Sequence, residues 1–168
     1  MKKLTALILS SLLAAACASR PAASTAPQPS TSASSSGSAG SSATGATGAT
    51  DARGAVLSFL TAGKEQDLQA LSAVWGSAEG SVRTTNTFSR EELEKRELIM
   101  MCYLDHETHE ILSDAPAANN ERVIAAQLRR GPLTRTANFY AVAGPGGRWY
   151  VRSFDMEVLT PFCSRRSR

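Results

Sequence analysis

Apolar residues early in the central region follow the spacing of helices that bury one face. Val56, Phe59 and Leu60 stand at the i, i+3, i+4 positions of a first helix, predicted over residues 52–63 and ended by a glycine. A second, shorter helix is predicted over residues 67–75, because that segment begins with aspartate, a good N-cap, and continues with leucines at helical spacing.

A third helix is predicted over residues 89–103, and its start is the most clearly marked of the three. Ser89 and Glu92 have the spacing of a capping box, in which each side chain bonds the backbone N–H of the other residue. Phe88 and Leu93 stand at the two positions of a hydrophobic staple around the same cap.

The second half of the chain changes to the alternating pattern of β-strands. Glycine and proline residues separate the segments and predict turns, with a tight hairpin at Gly144–Gly147. Four strands are predicted, over residues 107–114, 122–130, 134–143 and 148–158. Helices followed by a strand meander predict an α+β domain over residues 51–163, with three N-terminal helices packed on one face of a four-stranded or slightly larger antiparallel sheet.

Ahead of this domain lies a segment that is unsuited to folding. Residues 18–50 are almost wholly Ala, Ser, Thr, Gly and Pro, with Arg20 as the only charge and no aliphatic side chain larger than alanine. Such a segment buries too little apolar surface to offset its ordering entropy, so we predict a disordered linker. As a flexible coil it would reach roughly 30 Å.

The N-terminus has the pattern of an export signal. A basic start at Lys2 and Lys3 is followed by residues 4–16, which are mostly apolar and uncharged, with small residues at the end. A membrane-spanning helix needs roughly 20 apolar residues, so this stretch is too short to be one. We interpret residues 1–16 as a signal peptide.

Small residues directly before Cys17 make this stretch resemble the lipobox of bacterial lipoproteins. In that motif the cysteine is acylated and becomes the first residue of the mature protein, which implies lipid such as palmitate on Cys17 and the membrane as a partner. Ala15 and Ala16 fit the motif, whereas Ala14 stands where leucine is usual and Leu13 is one position further away. Ordinary export with cleavage after Ala16 is the alternative.

Charge and sorting signals refine the expected location. The net charge falls from +3 to +1 once Lys2 and Lys3 are removed with the signal, so the composition gives no nucleic-acid-binding signature. Ala18 stands where an acidic residue retains lipoproteins of the enteric type in the inner membrane. We therefore expect an exported, lipid-anchored protein at the outer membrane, on its periplasmic face, or at the cell surface.

The remaining two cysteines lie inside the predicted domain. Cys102 stands at the end of the third helix and Cys163 just beyond the last predicted strand. Because two thiols in an exported domain favour a disulfide, we predict a Cys102–Cys163 bond. Two buried free thiols, or a reactive pair, are the alternatives.

The densest group of chemically active side chains lies between the third helix and the first long strand. It contains both histidines of the chain among three carboxylates, and its candidate residues are Asp105, His106, His109 and Glu110. Histidine and carboxylate serve both acid–base catalysis and zinc binding. On a strand the two histidines would point apart, whereas on a helical turn they could converge. The first interpretation is a solvated polar edge; the alternatives are a metal site and a pocket acid or base.

Other signatures of catalysis and cofactor binding are absent from the sequence. There is no Gly-x-Ser-x-Gly elbow, phosphate-binding glycine loop, Cys-x-x-Cys or His-Glu-x-x-His motif. We therefore expect no cofactor and no metal centre. Residues 164–168 carry three arginines, which predict a frayed basic tail.

The pattern of the domain resembles the nuclear transport factor 2-like superfamily, which is also described as cystatin-like and cone-shaped. The similarity covers roughly residues 52–160 and includes Phe59-Leu60, Asp67 and Leu71 in the helical part and Gly147-Arg148-Trp149-Tyr150-Val151 on the last hairpin. In particular, the chain is similar to small bacterial lipoproteins of unknown function with this fold. The resemblance implies a curved sheet that encloses a pocket with its helices; some relatives are isomerases or hydrolases, and many have no known activity.

Taken together, these features predict a membrane-tethered cell-envelope lipoprotein with a non-catalytic binding or structural domain. Its partner would be an envelope protein or a small molecule. The main alternative is a ligand-binding protein or pocket enzyme, isomerase-like or hydrolase-like, that uses the interior of the cone. A cluster outside any cavity would argue against the enzyme.

Overall fold

The structure is a computed structural model that describes residues 46–164. The predicted signal peptide, Cys17 and most of the predicted linker lie outside the described residues, as do residues 165–168 of the predicted tail. None of the helices between residues 46 and 164 has the length and apolar content needed to span a bilayer.

Five helices lie in this region, and aspartate or serine caps three of them as the sequence predicts. Side-chain oxygens of Asp51, Asp67 and Ser89 accept from the backbone N–H of the residue three positions later, which satisfies a donor that the helix leaves free. The helices are α1 (Ala52–Glu65), α2 (Leu68–Val74), α3 (Val82–Thr85), α4 (Arg90–Tyr103) and α5 (Met156–Ser164).

The α+β class and the four-stranded antiparallel sheet are confirmed. A short hairpin of β1 (Gly76–Ser77) and β2 (Gly80–Ser81) precedes the main sheet. The main sheet is a meander in the order β3-β4-β5-β6, which consists of β3 (Thr108–Pro116), β4 (Glu121–Arg130), β5 (Leu133–Ala143) and β6 (Trp149–Phe154). Trp75 forms a parallel bridge with Val151, which places the hairpin beside β6.

Strand alternation gives the main sheet one buried and one open face. On β5, Ala137, Phe139 and Ala141 are buried against α1 and α5, whereas the intervening residues lie on the open face. Phe59 of α1 is fully buried at the centre of this core, with its ring centroid 6.3 Å from Phe139 and 5.7 Å from Phe154. The first predicted helix thus supplies the main contact between layers.

The last predicted strand is present, but its predicted end at residue 158 and the prediction of three helices are wrong. Four helices precede the sheet, since the single turn α3 was not predicted, and β6 ends at Phe154, where α5 follows. Leu159 and Phe162 are fully buried and stand three residues apart, which is helical spacing. The apolar residues after Phe154 resemble a continuation of the strand, but the buried ones, Leu159 and Phe162, have the spacing of a helix.

The folded part also begins earlier than residue 51, within the predicted linker. Ala49 pairs with Trp149 through two backbone hydrogen bonds of 2.9 Å, and Gly48 N donates to the carbonyl of Ala73 at 2.8 Å. Arg148 donates to the carbonyls of Thr47 and Gly48. Residues 47–49 therefore extend the sheet beyond β6, because backbone groups bind there without any need for apolar side chains.

Candidate functional site

Cys102 and Cys163 form a disulfide bond, as predicted. Their sulfur atoms are 2.03 Å apart and their Cα atoms 4.7 Å apart. The bond joins the end of α4 to the end of α5, across a separation of 61 residues. Closing so long a loop restricts the unfolded chain, which stabilises the folded domain.

Arg130 forms a second connection to α5 beside this disulfide. Its Nη1 donates to Asp105 Oδ2 at 2.6 Å, and its Nη2 donates to the carbonyl of Phe162. The guanidinium also lies over the Phe162 ring, 5.4 Å from the ring centroid. Asp105, a candidate acid in the sequence, is thus engaged in an ion pair that holds the fold together.

His106 and His109 contact each other directly. His106 precedes β3, and its Nε2 lies 2.8 Å from His109 Nδ1. His106 Nδ1 lies 2.6 Å from the carbonyl oxygen of Leu104. Because a carbonyl only accepts, His106 carries its proton on Nδ1 and accepts from His109 Nδ1–H. Both ring nitrogens of His106 are therefore occupied, and His109 Nε2 alone has no hydrogen-bond partner within the described chain.

Burial keeps the two histidines neutral. Loss of hydration lowers the pKa of His106 and the pKa of His109, and the nearby charge of Lys64 lowers both further. In His106 the Leu104 carbonyl and the Asp105 carboxylate act in the opposite direction without overcoming burial. The side chain of His106 is only 4 % exposed, so the solvated polar edge predicted from sequence does not describe it.

The remaining residues of the cluster fit a polar edge better. Glu107 is exposed and its Oε2 accepts from Gly131 N at 3.1 Å. Glu110 is exposed and lies opposite Gln127 on the open face of the sheet, whereas His109 lies opposite Leu128 on the other face. Glu110 and His109 therefore point to opposite faces of β3, although both border the same open groove at the edge of the sheet.

No group of three His, Cys, Asp or Glu side chains suited to holding a metal ion is found from residue 46 to residue 164. The geometry of the histidines gives a physical reason. Since both nitrogens of His106 are engaged, the pair offers only His109 Nε2 as a ligand without breaking a hydrogen bond.

An open polar groove of about 330 Å³ crosses the sheet at this position. It is lined by Thr108, His109, Glu110, Gln127 and Arg129. Pairing of Thr108 with Arg129 and of Glu110 with Gln127 places these four side chains together on the open face. Its polar residues can form hydrogen bonds, but the groove does not enclose a substrate or exclude water.

A separate apolar cleft of about 140 Å³ lies between the helices and β6. Its lining consists of aromatic residues, methionines and further residues of β6. These are Phe59, Trp75, Met100, Val151, Arg152, Ser153, Phe154 and Met156. Nothing in the sequence pattern identifies the two methionines, Met100 and Met156, as residues of a cleft. No His, Asp or Glu lines this cleft, so it offers a binding surface without a general acid or base.

Glu97 is a buried carboxyl group that the sequence analysis missed. It is 4 % exposed, lies on α4 and has an Oε1 atom with no hydrogen-bond partner in the described part of the chain. Burial, followed by repulsion from Glu94, raises the pKa of Glu97 to about 7, while the Ser72 hydroxyl opposes the shift. The sequence does indicate that Glu97 is buried. It stands at the i position of an i, i+3, i+4, i+7 series with Met100, Met101 and Leu104, which is the spacing of one buried helix face.

The site residues thus form a histidine pair, a polar groove that shares His109 with this pair, and a separate apolar cleft. The groove carries opposite charges on Glu110 and Arg129, whereas most of the cleft lining is apolar. Comparisons with protein-family models, with curated proteins and with solved structures give no match.

Proposed function

We propose that the protein is an exported lipoprotein of the cell envelope, anchored through lipid on Cys17, whose α+β domain binds a partner and does not catalyse a reaction. The observation that carries this proposal is the Cys102–Cys163 disulfide. Structural disulfides persist in oxidising compartments and are rare in the cytosol. A disulfide-bonded domain behind a signal-like, lipobox-like N-terminus supports export.

A nuclear transport factor 2-like architecture is the fold we propose for this domain. Its support is the arrangement of α1 and α2 ahead of a strand meander, with helices on one face of the sheet. The hairpin β1-β2 adds to the sheet at β6, through the parallel bridge of Trp75 with Val151. The hairpin thus lies against the edge of the main sheet on the side of β6, as a separate two-stranded sheet.

Binding is favoured over catalysis by the separation of acids and bases from the cleft. Two of the four candidate catalytic residues are engaged in other contacts, Asp105 with Arg130 and His106 with Leu104 and His109. The other two, His109 and Glu110, border the open groove, which does not enclose a substrate. A pocket enzyme needs a positioned acid or base within reach of its substrate. The cleft offers none, which supports an envelope protein or a small apolar molecule as the partner.

Fractionation of cells that produce the full-length chain tests the anchor. We expect the wild-type protein in the membrane fraction and the Cys17→Ser variant in the soluble fraction. The matched control is a Cys102→Ser/Cys163→Ser variant, which keeps Cys17 and should remain with membranes. A Cys17→Ser variant that still sediments with membranes would contradict the anchor.

Separation of inner and outer membranes on a density gradient tests the location. The wild-type protein should sediment with the outer membrane, and an Ala18→Asp variant should shift to the inner membrane if enteric-type sorting applies. Wild-type protein in the inner membrane would refute the outer-membrane proposal while leaving the lipid anchor intact.

A further inference from the structure

The interface between α2 and α4 contains a carboxyl group where an apolar residue would be expected. Glu97 faces inward on α4, beside the hydroxyl of Ser72 on α2, and its Oε1 has no partner in the region that the structure describes. A buried polar atom without a hydrogen bond is costly, and a buried unpaired charge is costlier still. The packing of the two helices therefore depends on whether this carboxyl is protonated.

Among residues 46–164, no basic group is paired with Glu97. The basic residues of α4 are paired with acids of the same helix, Arg90 with Glu94, Lys95 with Glu91 and Arg96 with Glu92. Residues 68–74 of α2 carry no charge, and the charged residues of α1 and α5, which also pack on α4, are exposed: Arg53, Lys64, Glu65 and Glu157. Glu94 is the charged neighbour that acts on Glu97, and it repels.

The same interface forms one wall of the apolar cleft. Met100 stands one helical turn after Glu97, and Trp75 stands one turn after Ser72; both line the cleft. Trp75 is stacked on Phe88, with ring centroids 5.6 Å apart, and Arg96 lies 4.5 Å above the Phe88 ring. A change in the spacing of α2 and α4 at Glu97 therefore moves the residues that define the cleft.

We propose that ionisation of Glu97 loosens the contact between α2 and α4, so that the apolar cleft becomes wider and more accessible above neutrality than in mildly acidic solution. Since burial raises the pKa of Glu97 from 4.5 to about 7, the folded protein keeps the proton at pH values where the unfolded chain has lost it. The contribution of Glu97 to the free energy of unfolding is therefore highest at acidic pH, decreases as pH rises from about 4.5 to 7, and stays low above that range.

Hydrogen exchange of the α2 amides, read by mass spectrometry and corrected for intrinsic rates, tests the proposal on the full-length protein. Between pH 5.5 and 8.5 we expect the protection of residues 68–75 to decrease at least about tenfold in the wild type. Glu97→Gln, which cannot ionise, should show no such decrease. Exposed Glu157→Gln is the matched control and should behave as the wild type.

Two further measurements use proteins that keep Glu97, so they test the proposal even if the Glu97→Gln variant does not fold. A ¹³C titration of the glutamate side-chain carboxyls in the wild-type protein should show one group with a midpoint near 7, which Glu94→Gln should lower. Quenching of Trp75 by acrylamide, in a Trp149→Phe background, should increase over the same pH range. Equal pH dependence of α2 protection in the wild type and Glu97→Gln, or no carboxyl titrating above pH 5.5, would overturn the proposal.

Discussion

Reduction of the Cys102–Cys163 bond should lower the stability of the domain substantially. The bond closes a loop across 61 residues, and the chain-entropy relation gives about 4 kcal/mol at 25 °C for a loop of that length. About 120 described residues imply an unfolding entropy near 0.25 kcal/mol/K, so this loss corresponds to a decrease in Tm of roughly 16 °C.

Thermal unfolding of the full-length protein, with and without reductant and followed by circular dichroism, measures this loss. The Cys102→Ala/Cys163→Ala variant is the control, since its Tm should not respond to reductant. The contacts of Arg130 with Asp105 and with Phe162 remain after reduction, so α5 should stay attached at moderate temperature.

A change in Tm below about 2 °C after complete reduction would refute the reasoning that the bond restrains the unfolded chain. A thiol count on the unreduced, denatured protein gives an independent check. Two reactive thiols from Cys102 and Cys163 would show that the bond does not form, and the main support for export would be lost.

Three further perturbations test the fold and the histidine pair. Phe59→Ala should cost about 3–5 kcal/mol in denaturant unfolding, because the ring is fully buried between two other aromatic rings; a loss below 1 kcal/mol would contradict this core. A chain that begins at residue 51 should unfold at a lower Tm than one that begins at residue 46, because it lacks the backbone pairing of Ala49 with Trp149. Equal Tm values would show that this pairing does not stabilise the domain. Because burial lowers the pKa of His106, the contribution of this side chain to stability should decrease as pH falls below about 6.5, whatever the opposite contribution of Glu97. Between pH 7 and 5 the free energy of unfolding should therefore fall more, or rise less, in the wild type than in His106→Gln; an identical pH dependence of the two proteins would refute the sign of the His106 contribution.

Local signals in the sequence account for most of the helical layer and the sheet. The caps at Asp51, Asp67 and Ser89 fix where three helices begin, because each side chain satisfies a backbone donor within three residues. The strand meander follows from alternation and from turns of glycine and proline. The disulfide followed from compartment and count, since only two cysteines remained in the domain.

The parts that the sequence did not predict depend on contacts between distant residues. Residues 47–49 have the composition of a linker, and their backbone partners, Ala73 of α2 and Trp149 of β6, are distant in the sequence. His106 and His109 converge because the segment between Leu104 and β3 folds back, which no periodicity encodes. Glu97 did carry a signal, its position in an apolar helical series, but charged residues surround it in the sequence and hide that period.

The most direct test of the central claim is the mass and sequence of the N-terminus of the protein isolated from membranes. Proteolysis followed by mass spectrometry should find a first residue at Cys17 that carries a thioether-linked diacylglyceryl group, and labelled palmitate supplied to the cells should appear on that peptide. An unmodified Cys17 as first residue, or an N-terminal peptide that begins elsewhere, would contradict the account of a lipid-anchored envelope protein.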